Sequence, residues 1–141
     1  MARIKNIRFD RAGRNEGCCC DRCGQYLQNI WTVEFSDGVV LHFGIDCFEK
    51  MTNEKLTKYG QTMMRNALKS IQQHKDMLVE YMTKDEDTDI RWQNIQNDPQ
   101  DYWYGRDYLE FKNWMLTEFF PCRIREDEKK LKLFSKVEFN R

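Results

Sequence analysis

Apolar and polar residues alternate over Trp31-Thr-Val33-Glu-Phe35 and again over Val39-Val40-Leu41-His42-Phe43, on either side of Ser36-Asp37-Gly38. Period-two patterning flanking an Asp-Gly pair predicts a β-hairpin. Ile4, Ile7 and Phe9 give a weaker strand signal, and the charges of Arg3, Lys5 and Arg8 among them predict a solvated edge strand. Beyond residue 50 the period changes: Leu56, Tyr59, Met63, Ala67, Ile71, His74, Leu78 and Tyr81 recur every three or four positions. That stripe predicts a long amphipathic helix over residues 53–83, which Gly60 kinks or splits, with His74 as a core histidine. Residues 84–89 read as an acidic linker. Asp98-Pro99 predicts one helix start, and Asp107 with Glu110 three residues on predicts a second. This helical segment should reach about Phe120 and stop at Pro121. The tail after Cys122, itself read as a buried thiol, alternates better than it spirals and predicts a short terminal strand or hairpin.

Six cysteines change this picture most. Cys20 and Cys23 stand two residues apart and are followed by Gly24, the spacing at which a tight turn points two thiolates at one metal ion. Cys47 follows Gly44 at an expected corner where a helix begins. Knuckle, hairpin and helix in this order predict one metal site shared by Cys20, Cys23 and Cys47. Cys18 and His42 compete for the fourth position, with Cys19 or a non-cysteine group as the remaining option. Cys18, on the same side of an extended segment as Cys20, gives a four-cysteine site and is the first choice; His42, at the end of the hairpin, gives three cysteines and one histidine.

Cys20-Asp-Arg-Cys23-Gly24, the hairpin and Phe43-Gly44-Ile-Asp46-Cys47-Phe-Glu-Lys50 together resemble the small zinc modules, treble-clef or zinc-ribbon-like, of phage and mobile-element proteins. The resemblance covers residues 18–50, about a quarter of the chain. It implies one structural zinc ion and little about the partner. The fold class expected is therefore α+β: a zinc-bound knuckle and hairpin module over residues 1–50, then a helical extension over 51–141 with two long helices and a short terminal strand or hairpin.

Composition narrows the function classes. The 40% apolar and 33% charged residues of this 141-residue chain suit a globular protein. The first residues are charged and no run approaches a membrane span, so reduced cysteines in the cytoplasm are the expectation. Net charge is zero, which argues against strong non-specific nucleic-acid binding. Residues 1–24 nevertheless carry six positive and three negative charges, and residues 84–110 carry three positive and eight negative.

Catalytic motifs are lacking: no phosphate-binding glycine loop, no Gly-x-Ser-x-Gly elbow, no HExxH, and no deaminase His-x-Glu before a cysteine pair. The expectation is a non-enzymatic binding protein, an accessory regulator or inhibitor acting through protein contact, without a small-molecule substrate. Nucleic-acid binding is the first alternative, through Arg14 and Arg22 near the knuckle and the basic helix positions Lys55, Lys58, Arg65 and Lys69; a treble-clef-type nuclease or other enzyme is the second. Most rings of the aromatic-rich 92–120 segment are assigned to core, with Trp103 and Tyr104 as interface anchors.

Overall fold

The computed structural model describes residues 2–139, and in it the chain divides into two compact units, residues 1–72 with 126–141 and residues 73–125. The division falls away from the sequence boundary at residue 50. The chain mixes strand and helix as the α+β class expects: five of the strands precede the helices, a sixth follows them at Glu138–Phe139, and residues 73–125 hold helices without a strand.

The first unit is built on an antiparallel sheet. β1 (Ala2–Arg11), β4 (Asn29–Phe35), β5 (Val40–Phe43) and β6 (Glu138–Phe139) lie in the order β5-β4-β1-β6, and β2 (Cys18–Cys19) pairs separately with β3 (Tyr26–Leu27). The hairpin β4–β5 sets Trp31 opposite Phe43 and Val33 opposite Leu41, and Gly38 supplies the positive φ of 89° that its turn needs. β1 is a correction to the sequence reading. Far from being an edge, it lies between β4 and β6 and pairs with both. Its register shifts between Ile4 and Asn6, so Ala2 and Ile4 face the core on one parity and Phe9 on the other. Such a bulge breaks the period of two, which is why the alternation looked poor.

Helix α1 (Ile45–Asn53) begins where the sequence expects a helix to start at Gly44 and Cys47, and helix α2 (Lys58–Tyr81) is the long helix expected over 53–83, starting five residues later than read. Thr57 ends the gap between them, its Oγ1 accepting from the Gly60 backbone N–H at 3.1 Å. Gly60 thus sits in a capped first turn and makes no kink. Met64, Ala67, Leu68 and Ile71 form the buried stripe of α2, whereas Tyr59, expected on it, is 79% exposed. His74 is half-buried, with its ring 6.3 Å from that of Phe120.

The core of this unit centres on Phe48, fully buried among Trp31, Phe43 and Phe134 at ring separations of 6.1, 6.1 and 5.6 Å. Phe134 comes from the tail, whose expected strand is mostly helical. α5 (Phe120–Leu131) leads into a 3-10 turn over Lys132–Lys136, and only Glu138–Phe139 is strand. Ile124, Asp127, Leu131 and Phe134 are the buried positions, a helical spacing hidden by the alternating lysines. Asp127 accepts from Ser70 Oγ at 2.5 Å and lies 3.6 Å from Lys130 Nζ.

The second unit holds α3 (Ile90–Gln96), α4 (Tyr108–Trp114) and the start of α5. Its rings Tyr81, Trp92, Tyr108, Phe111 and Phe120 are buried together with Met115. The stretch read as a linker ends in a structural hub. Asp89, 2% exposed, caps α3 by accepting from the Trp92 N–H at 3.1 Å, and also accepts from the hydroxyls of Tyr81 and, at 3.1 Å, Tyr108. Burial, then the bond to Asp89, pushes both phenols up, so they stay protonated donors.

Asp89→Asn presents an N–H2 to some of these donors. It should cost about 1–3 kcal/mol in urea unfolding and reduce near-ultraviolet circular dichroism from the rings. Unchanged stability would show that the hub is dispensable.

Asp98-Pro99 does not start a helix. Asp98 Oδ1 accepts from the Gln100 N–H and Asp101 Oδ1 from the Trp103 N–H, local turns that compete with helix. The Gln96 side chain clips this loop, donating to Trp103 O and accepting from Gly105 N–H. Asp107 caps α4 as expected from its spacing to Glu110, accepting from Leu109 N–H. Pro121 does not stop the helix: a π turn over Met115–Phe119 resets the ladder, leaving the proline in the first turn of α5. Cys122 is exposed rather than buried.

Candidate metal centre

Local hydrogen bonds shape the knuckle before any ion is considered. Between β2 and β3 the chain turns through Cys20–Gly24. Cys20 N–H donates to Gln25 O at 2.8 Å, Gly24 N–H to Cys20 O at 2.9 Å, and Arg22 N–H to Cys20 Sγ at 3.4 Å. Gly24 takes φ 78°, a conformation that a side chain there would resist. Gly17 is required by space instead: a Cβ on it would lie 1.9 Å from the Leu27 carbonyl oxygen.

Asp21, which the sequence reading passed over, ties the knuckle to the hairpin. Its N–H donates to His42 O at 2.8 Å, and its Oδ2 accepts from His42 N–H at 2.6 Å. An aspartate inside Cys-x-x-Cys was the available signal. Two residues past His42, Gly44 ends the strand and begins α1, placing Cys47 in the helix's first turn.

The result is a group of three thiols, Cys20, Cys23 and Cys47, whose Sγ atoms all lie within 4.8 Å of one another. They can hold a metal ion. A tetrahedral ion with metal–sulfur bonds of about 2.3 Å separates its sulfurs by about 3.8 Å, a distance that small side-chain rotations reach from here. Cys20 and Cys47 are buried and Cys23 is exposed.

Burial pushes the Cys20 thiol up, but backbone N–H groups of Cys23, Gly44 and Arg22 and the Cys23 thiol outweigh it, leaving the pKa at about 7. Burial also raises Cys47, with the neighbouring thiols adding to it. A cation among these sulfurs supplies the charge that the buried thiolates need.

Among the described residues neither Cys18 nor His42 joins this group. Cys18 lies half-buried in β2 opposite Leu27, with its pKa raised by burial and then by Asp21. His42 lies opposite Thr32, its Nδ1 3.5 Å from Asp21 Oδ2.

The positions expected to meet a partner fall in both units. Arg14, Arg22, Lys55, Lys58, Arg65 and Lys69 are exposed, and Arg65 Nε is 3.4 Å from Glu49 Oε2. In the second unit Trp103 is half-buried against Phe111 and Trp114, and Tyr104 is 47% exposed. Among the described residues no helix is long and apolar enough to cross a membrane. No family model, curated protein or solved structure matches the chain.

Proposed function

We propose that this chain is a zinc-stabilised binding protein, acting through contact with another protein rather than by catalysis. The carrying observation is the convergence of Cys20, Cys23 and Cys47 from a knuckle and a helix start. One zinc ion there holds β2–β3, the hairpin and α1 in a fixed relation and so presents a rigid surface. Cys18 is the first choice to complete the coordination by swinging toward Cys20, and His42 is the alternative.

The resemblance of residues 18–50 to zinc modules of phage and mobile-element proteins supports an accessory role, as a regulator or inhibitor working in the cytoplasm. Nucleic-acid binding through Arg14, Arg22 and the lysines of the α1–α2 region is the second reading, supported by their exposure on a unit with a positive balance of charge.

Affinity capture with the tagged protein, in parallel with Cys20→Ser, tests the binding role. A stoichiometric protein partner retained by the native chain and lost by the variant supports the reading. Capture that is identical for both, or only of nucleic acid, overturns it.

A further inference from the structure

The second unit is acidic overall, with seven Lys or Arg against eleven Asp or Glu over residues 73–125. Net charge hides its local arrangement. Tyr102, Trp103, Trp114 and Phe119 form a continuous ribbon of rings with successive centroids 5.3, 5.7 and 5.5 Å apart. Three arginines lie along it. The Arg106 guanidinium sits 3.9 Å from the Tyr102 ring centre and 6.0 Å from that of Trp103; Arg91 and Arg123 sit 5.4 and 5.5 Å from that of Phe119.

Tyr102 is 68% exposed and Trp114 37% exposed, so the ribbon meets solvent. Among the described residues none of these guanidiniums forms an ion pair with a carboxylate. Arg106 Nε donates to the Tyr102 carbonyl at 2.7 Å, a neutral partner that leaves its charge uncancelled, so the positive charge of the three can meet an outside anion. Several of the unit's carboxylates, by contrast, are turned onto its own groups: Asp85 onto Thr88, Asp89 onto the two tyrosines, and Asp98, Asp101 and Asp107 onto backbone N–H groups. Asp98 and Asp101 share a shallow groove with Arg91, which sets a limit on the anion's approach from that flank.

Two exposed rings, Tyr102 and Trp114, set beside arginines that form no ion pair among the described residues, fit a ligand that alternates flat π-faces with negative charges. We propose that this ribbon binds single-stranded nucleic acid, with bases stacking on Tyr102 and Trp114 and phosphates taken by Arg91, Arg106 and Arg123. Stacking tolerates any base, so contact is sequence-independent. The surface lies wholly in residues 73–125, and the inference stands apart from the metal centre and from the basic residues of the other unit.

The test is fluorescence anisotropy of a short labelled oligothymidylate, with intrinsic tryptophan emission followed in the same titration. Binding should quench tryptophan and weaken with salt at a logarithmic slope of about −2, the value for three phosphate contacts on a single strand. Tyr102→Ala, and separately Arg91→Gln with Arg123→Gln, should each weaken binding about tenfold or more while circular dichroism stays native. Lys55→Gln with Lys58→Gln and Lys69→Gln should leave it unchanged. Absence of binding at low salt overturns the proposal. So does binding that survives the ribbon variants or disappears with the lysines.

Discussion

With one zinc ion at the proposed three-thiol centre, Cys47→Ser should abolish metal binding and destabilise the first unit by about 5 kcal/mol or more. Structural zinc contributes roughly 10–16 kcal/mol of apparent binding free energy in small domains, comparable with the whole stability of a typical fold, about 5–15 kcal/mol. Cys47 is the thiol that α1 brings to the group, so its loss should detach the helix end from the Cys20–Gly24 turn while leaving Cys20 and Cys23 as a two-thiol remnant. Cys19→Ser, at an exposed neighbouring position outside the three-thiol group, should stay within about 0.5 kcal/mol of the native protein. Chemical unfolding of both variants, with metal content measured alongside, gives the comparison. Equal stability of the two would remove the ion from the account.

Proton competition gives that result a pH dependence. Metal binding requires thiolates, and Cys20 has a pKa of about 7 before any ion arrives. Cys47, raised above its ordinary value of 9.0, must also lose its proton, so metal affinity should already decline as pH falls from the alkaline side and decline more steeply below about 7, where Cys20 takes up a proton too. In the metal-free fold the sign is the same: a thiol lowered from 9.0 to about 7 adds stability that is complete above the higher value and lost as pH falls through the lower.

Phe48→Ala is the second large effect, expected at about 3–5 kcal/mol from lost burial plus the cavity left behind. Phe48 is fully buried and touches rings from β4, β5 and the C-terminal 3-10 turn, so no single neighbour can fill its place. Because it follows Cys47 directly in α1, the cavity should also loosen the metal centre. Urea unfolding reads the first effect and competition with a zinc chelator the second. A loss below about 1 kcal/mol would mean that the surrounding rings collapse onto the vacancy.

The hairpin and the three-thiol group were the most legible parts of the chain. Their signals are local: Asp37-Gly38 specifies a turn, and Cys-x-x-Cys-Gly specifies a knuckle whose hydrogen bonds close within five residues. Where the reading failed, a local signal had a competitor. The bulge at Ile4–Asn6 flipped the parity of β1 and disguised an inner strand as an edge. Asp98 and Asp101 spent their side chains on turns and not on a helix start. Pro121 was absorbed by the π turn before it, a feature with no sequence signature of its own.

The acidic stretch at 84–89 hid Asp89 because an isolated aspartate gives no sign that two tyrosine hydroxyls, one of them nineteen residues later, will converge on it. The ribbon in the second unit was hidden in the same way. Trp103 was picked out as an anchor, but its alignment with Tyr102, Trp114 and Phe119, and the arginines stacked along them, depends on the fold.

Elemental analysis of the protein purified without added metal or chelator addresses the central claim most directly. The account predicts one zinc ion per chain, removed by a strong chelator with a large fall in melting temperature. Protein that carries no metal, and whose melting is unaltered by zinc or by chelator, would contradict it.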